Sequence, residues 1–184
     1  MADGTQIAMP YDTGEDRILM RYPATGREVR LWITRRMAQR WLGATAKVFD
    51  HVQGTGAAPE EQRRAVSQFQ RESAVQGADF SKPYEPPPPE EPESDAPSAP
   101  PSGSPEESPL LVRRLTITAH KDGKLRLELG AGGHNAEKVA LTLTQRELHG
   151  LTHMLTLSAQ KAEWGLTDPS LPAARRGGPP IRAN

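Results

Sequence analysis

Two histidines in the last predicted helix have a spacing that could bind a metal ion. His149 and His153 are four residues apart, so a helix would place both imidazoles on one face. His120 or His134 could add a further ligand, but no Asp or Glu nearby completes the set. Because the ligand set is incomplete, we predict no metal site, and we expect the two histidines to lie on an exposed polar face.

Arginine and tryptophan residues alternate with apolar residues along the predicted strands, and therefore share the sheet faces turned away from the helices. In the first half of the chain this outer face carries Leu19, Arg21, Arg30 and Trp32. In the second half it carries Arg114, Thr116, Thr118, His120, Arg126 and Thr142. Such a face is typical of a platform for single-stranded nucleic acid, and equally of an interface with another sheet or subunit. Because only 5% of the residues are aromatic, the interface is favoured.

The motifs of common enzymes are missing. Gly130, Gly132 and Gly133 follow a predicted strand, as in a dinucleotide-binding loop, but the third glycine of that motif is absent and another strand comes next. The sequence contains no Walker-type phosphate loop, no nucleophile elbow and no His-Glu-x-x-His pair. We therefore predict a non-enzymatic protein with no catalytic residues and no cofactor.

Composition narrows the class of protein further. The chain has 184 residues and no Cys, which excludes disulfides, thiolate metal sites and cysteine nucleophiles. No apolar run approaches the roughly 20 residues of a membrane-spanning helix. The first residues also lack the basic and then apolar segments of a secretory signal. We expect a cytoplasmic protein that has no membrane partner.

Charge divides the chain into four parts. The net charge is +2 over residues 1–53, −7 over 54–109, +3 over 110–166 and +2 over 167–184. Between 83 and 109, 11 of 27 residues are Pro, so we predict a disordered acidic linker; an SH3-type ligand is the alternative, without the usual flanking Arg or Lys. Before it, a marginal helix over 59–75 has a thin apolar face of Ala65, Val66 and Phe69. We predict that the last part is a disordered tail.

The part from 110 to 166 is predicted to form three strands and then a helix. Apolar residues alternate with polar ones along three segments, which is the period of a half-buried strand. Asp122-Gly123 signals a two-residue hairpin between the first two strands. Thr144 begins the helix, and Glu147, three residues later, completes a capping box.

The part from 1 to 53 repeats this plan, with a short first strand over 7–11. A shift of 110 residues aligns one strand and the start of the following helix: Val29 with Val139, Leu31 with Leu141, Ile33 with Leu143 and Thr34 with Thr144. We therefore predict an α+β fold of two strand–strand–strand–helix half-repeats joined by the linker; chance similarity of two α+β pieces is the alternative. Each half is near the lower size limit of independent stability, so we expect the halves to pair within one chain or as a homodimer.

The last predicted helix has a second apolar strip that suggests another partner surface. Leu157 and Trp164 lie on the same side of the helical wheel as His149 and His153, opposite the main apolar stripe. This strip could pack against the first half or a second subunit, or it could bind a different protein. In architecture alone, strands followed by a helix resemble the single-stranded nucleic-acid-binding folds of the PC4, Whirly and Pur-alpha type.

Two functions follow as expectations. The first is a protein–protein interaction or scaffold module that acts through assembly of the two α+β lobes. The alternative is a single-stranded nucleic-acid-binding protein that uses the open basic sheet faces, as the architectural resemblance implies. The residues expected to make these contacts are Arg21, Arg30, Trp32, Arg114, Arg126, His149, His153, Leu157 and Trp164.

Overall fold

The structure, a computed structural model, describes residues 6–24, 27–52, 54, 57–76, 84–85, 108–133 and 136–169. Within these residues the chain forms two β-sheets and three helices, which confirms the predicted α+β class. Several predicted features lie wholly or largely outside the described residues: the first hairpin turn at Thr25 and Gly26, most of the acidic linker, His134, and the tail after Pro169.

The first sheet has four strands in the order β1 (Tyr11–Asp12), β2 (Arg17–Ala24), β3 (Arg27–Ile33) and β4 (Leu110–Leu111). β1, β2 and β3 form an antiparallel meander, whereas β4 runs parallel to β3. Alternation along β2 places Ile18, Met20 and Tyr22 in the core. Because β4 follows the predicted linker, the second part of the sequence completes the sheet of the first part.

The second sheet is an antiparallel meander of β5 (Arg114–Ala119), β6 (Leu125–Gly130) and β7 (Lys138–Leu143). The hairpin between β5 and β6 forms where Asp122-Gly123 predicts it, but the two-residue length is wrong. The His120 amide donates to the Lys124 carbonyl at 2.9 Å, which leaves three residues in the loop. Gly123 has a φ of 79°, and a left-handed glycine at the end of a three-residue loop explains the longer connection.

Hydroxyl groups cap the helices that follow the two meanders, α1 (Arg35–Val52) and α3 (Gln145–Lys161). The Glu147 amide donates to the Thr144 hydroxyl at 3.2 Å, and the Thr144 amide donates to the Glu147 carboxylate at 2.6 Å. This reciprocal pair is the predicted capping box. Before α1, the Thr34 hydroxyl accepts a bond from the Met37 amide at 3.3 Å, without a carboxylate to return it.

Both sheets pack on the same set of helices. α1 contacts β5 of the second sheet, and α3 contacts β1 and β2 of the first sheet. The two helices also contact each other, and apolar residues of both sheets and both helices belong to one hydrophobic cluster of the described residues. Each helix therefore covers the sheet of the other half, and the core is shared.

The helix α2 (Glu60–Gln76) packs against α3, but not with the face that the sequence predicts. Its buried residues are Ser67, Arg71 and Ala74, whereas Phe69 is 71% exposed. The predicted face was wrong because two other features select the contact. Small side chains at 67 and 74 allow the two helices to approach closely, and Arg71 pairs with Asp168 of the chain beyond α3.

Candidate binding surfaces

The outer face of the second sheet is exposed across all three of its strands. Its central row pairs Thr118 of β5, Arg126 of β6 and Thr142 of β7, all exposed. The Arg126 guanidinium donates to the Glu128 carboxylate at 3.0 Å, and this bond, with the charge of Lys138, holds the pKa of Glu128 below its usual value. This surface is called the second outer face here and consists of Arg114, Thr116, Thr118, Arg126, Glu128, Lys138, Ala140 and Thr142.

The corresponding face of the first sheet is half-buried. Leu19, Trp32 and Leu111 form one row across β2, β3 and β4, and Arg21 pairs with Arg30 in the next register position but one of the same face. None of these five side chains is fully exposed. We call this surface the first outer face: Leu19, Arg21, Pro23, Glu28, Arg30, Trp32 and Leu111.

Part of the predicted linker lies on the first outer face. The guanidinium carbon of Arg21 is 4.9 Å from the ring centroid of Tyr84, which is a cation–π distance. The neighbouring Glu85 amide donates to the Gln6 side chain at 3.2 Å. Burial raises the pKa of the Tyr84 hydroxyl, and the Glu28 carboxylate adds to the shift. The chain itself therefore covers the Arg21 side of this face.

His149 does not lie on an exposed polar face, and that prediction is wrong. The His149 ring is 1% exposed and stacks on Phe49 of α1, with centroids 3.7 Å apart and an interplanar angle of 11°. Burial, with a contribution from the Arg71 charge, lowers the pKa of His149 to about 4. The cause of the error is that α1 and α2 contact α3 from sides that the helical wheel treats as solvent.

His153, one turn further along α3, is half-buried, and burial together with Arg71 lowers its pKa. Within the described residues, no group of three or more His, Asp or Glu side chains is placed to hold a metal ion. None of the helices in the described part of the chain has the length and apolar character needed to cross a membrane.

Trp164 is separated from Leu157, so the predicted apolar strip does not form. α3 ends at Lys161, and Glu163 and Gly165 then adopt φ values of 53° and 62°. The chain turns there, and Trp164 becomes 4% exposed while Leu157 stays on the surface at 46% exposure. A glycine just after an apolar helix is a known signal for such an ending, and Gly165 could have indicated it.

The Trp164 side chain is part of a contact between the two halves. Its indole nitrogen donates to the Asp16 carboxylate at 3.0 Å, and its ring meets Tyr11 edge-on at 5.9 Å. The Tyr11 hydroxyl donates to the same carboxylate at 2.8 Å. The indole bond, followed by the hydroxyl bond, lowers the pKa of Asp16.

A buried ion pair near His149 could not be predicted from local patterns. The Arg71 guanidinium contacts the Asp168 carboxylate, and the two side chains are only 6% and 2% exposed. They are 97 residues apart in the sequence. Arg71 lies in the helix predicted to be marginal and Asp168 in the part predicted to be a disordered tail, so neither position indicated a partner.

A cavity of about 420 Å³ opens between α1, the start of β5 and the loop between β6 and β7. Its lining residues are Arg40, Ala44, Arg113, Arg114, Leu115 and Gly132. Half of them are arginines, although the sequence analysis singled out only Arg114. Comparison of the chain with protein-family models, with curated proteins and with solved structures finds no match.

Proposed function

We propose that the chain is a non-enzymatic interaction module made of two strand–strand–strand–helix half-repeats that have assembled with each other. The observation that carries this proposal is the burial of equivalent positions in α1 and α3. A shift of 110 residues relates five pairs of buried residues: Ala38 and Leu148, Trp41 and Leu151, Leu42 and Thr152, Thr45 and Leu155, Phe49 and Ala159. The two helices thus use the same face, as equivalent elements of a repeat would.

Reciprocal packing supports the assembly of the halves within one chain. α1 lies on the second sheet and α3 on the first, so neither half covers its own sheet alone. Two polar contacts join the halves at the same place: the Ser158 hydroxyl donates to the Met9 carbonyl, and Trp164 donates to Asp16. This arrangement enlarges a core that would be small for either half.

The second outer face is the surface we assign to a partner. It is exposed, it is free of the half-burial found on the first outer face, and it carries Arg114, Arg126 and Lys138 against a single carboxylate, Glu128. Charge complementarity therefore favours an acidic protein segment as the partner. The low aromatic content of this face fits a polar, salt-sensitive contact.

Fluorescence anisotropy with a labelled deca-glutamate peptide tests this assignment. We expect binding at low salt, and we expect Thr118→Glu and Arg126→Glu to weaken it about tenfold or more, which corresponds to about 1.4 kcal/mol. The matched control is Lys161→Glu, which changes an exposed charge at the end of α3 and should leave the affinity within about twofold. Absence of peptide binding, or equal losses in all three variants, would refute the proposal.

Single-stranded nucleic acid is the second candidate partner, and one observation favours it. The three arginines of the cavity adjoin the end of the second outer face at Arg114, which extends the basic surface. A labelled dT10 oligonucleotide is the probe for this candidate. Tighter binding of dT10 than of the peptide, with a steep loss of affinity as salt rises, would replace the protein partner by nucleic acid.

A further inference from the structure

The cavity between the two halves has an unusual concentration of positive charge. Arg40 comes from the middle of α1, whereas Arg113 and Arg114 lie where the chain enters β5. The remaining lining residues are Ala44, Leu115 and Gly132, so no acidic side chain lines the cavity. An open space of about 420 Å³ with three guanidinium groups on its walls is a setting for an anion.

These arginines differ from others on the surface in having no acidic partner within the described residues. Arg17 pairs with Glu15 at 3.3 Å, and Arg126 pairs with Glu128 at 3.0 Å. By contrast, the described part of the chain offers no ion pair to Arg40, Arg113 or Arg114. Three like charges around one cavity repel each other, and a bound anion would remove that repulsion.

The backbone around the cavity is held in place. The Arg113 amide donates to the Gly130 carbonyl at 2.8 Å, and the Ala131 amide donates to the Glu137 carbonyl at 3.0 Å. Gly132 has a φ of 82°, and a Cβ atom at this position would lie 3.4 Å from the Cβ of Arg113. The glycine therefore lets the loop approach Arg113 closely in a conformation that other residues rarely adopt.

Arg40 is positioned with comparable rigidity. The next two residues of α1, Trp41 and Leu42, are 0% and 1% exposed, which fixes the rotation of the helix about its axis. This rotation directs the exposed Arg40 side chain to the cavity that Arg113 and Arg114 also line. Both halves of the chain thus supply charge to one place.

We propose that Arg40, Arg113 and Arg114 form a binding site for a phosphate group, either free phosphate or the phosphate of a small monoester. Guanidinium groups donate paired hydrogen bonds to phosphate oxygens, and three of them match a doubly charged tetrahedral anion better than a single carboxylate. The volume exceeds that of the anion alone, and Ala44 and Leu115 provide an apolar wall for the organic part of an ester.

Isothermal titration calorimetry of the full chain with inorganic phosphate and with adenosine monophosphate tests the site, with adenosine as the probe that lacks phosphate. We expect Arg40→Gln and Arg113→Gln to weaken phosphate or monophosphate binding at least about tenfold, because each removes charged hydrogen bonds. Lys47→Gln removes an exposed charge from α1 outside the cavity and should leave the affinity within about twofold.

The outcomes separate the two sources of phosphate. Equal affinities for inorganic phosphate and adenosine monophosphate assign the site to the free anion, whereas tighter binding of the monophosphate assigns it to an ester. Failure of both probes to bind at millimolar concentration, equal binding of adenosine, or unchanged affinity in the arginine variants would overturn the proposal. Arg40 lies outside the second outer face, so the result is independent of deca-glutamate binding.

Discussion

The outer faces of the two sheets differ although both sheets contain a three-strand meander. Trp32 and Leu19 on the first outer face are half-buried, and Tyr84 covers the neighbouring Arg21. The second outer face has threonine, arginine and lysine at the equivalent level and is exposed. The difference indicates that an apolar row on a sheet attracts cover from the chain itself, while a polar row stays available to other molecules.

The comparison assumes that both faces belong to one folding unit, and acid tests this most strongly. The pKa of His149 is about 4 in the folded chain and near 6.5 when unfolded, so the unfolded state binds more protons in between. Stability contributed by neutral His149 is therefore complete above pH 6.5 and lost as the pH falls towards 4. We expect a loss of about 3 kcal/mol from this residue, measured by urea unfolding at each pH.

His149→Leu serves as the control for the acid experiment. It removes the titrating group, so the slope of stability between pH 6.5 and 4.5 should become shallower, with a residual slope from His153, whose pKa is also lowered. Tryptophan fluorescence and far-UV circular dichroism should report the same midpoint. Two separated transitions would show that the sheets unfold independently and would end the comparison.

Trp32 should sharpen the contrast between the faces. Because its side chain is half-buried, we expect Trp32→Ala to cost about 2–3 kcal/mol, below the 3–5 kcal/mol of a fully buried aromatic residue. Thr116→Ala on the second outer face should change stability by less than about 0.5 kcal/mol. Urea unfolding measures both, and equal effects would mean that the two faces are alike.

The helix caps compare the halves at one equivalent position. Thr144→Ala should cost about 1–2 kcal/mol, because it also breaks the reciprocal bond of Glu147. Thr34→Ala should cost about 0.5–1 kcal/mol, since its single bond of 3.3 Å has no return. Thermal unfolding should show one transition that both substitutions shift. The reverse order of costs would contradict the structural difference between the caps.

Tyr84 should give the smallest effect. Tyr84→Leu removes the ring that contacts Arg21, and we expect a loss of about 0.5–1 kcal/mol in urea unfolding. Tyr84→Phe keeps the ring and should retain most of that stability. If Tyr84→Leu has no effect, the chain does not stabilise the first outer face by covering it, and the first outer face would be as available to partners as the second.

Local patterns predicted the parts of this fold that depend on neighbours in the sequence. The alternation of Leu125, Leu127 and Leu129 predicted a strand with one buried side, and Thr144 with Glu147 predicted the start of a helix. Both features need only a few adjacent residues, because strand pleat and helix capping are local geometry.

Contacts between distant residues could not be predicted in the same way. Trp164 reaches Asp16, and Arg71 reaches Asp168, across separations of 148 and 97 residues. A single sequence gives no measure of which distant side chains meet, so the helical wheel placed His149 and Trp164 on a surface that other elements in fact cover. The cavity arginines were missed for the same reason, because α1 and β5 contribute them from different halves.

The parallel strand β4 has a consequence for the order in which this chain can fold during synthesis. β4 pairs with β3 but follows α1, α2 and the acidic segment, so the first sheet keeps an open edge until the ribosome has released residue 111. Closing such a long loop costs entropy that grows only slowly with its length, by about 0.6 kcal/mol per doubling. We therefore expect the length of the acidic segment to be tolerant of change, whereas ribosome-bound chains that end before β4 should be sensitive to protease.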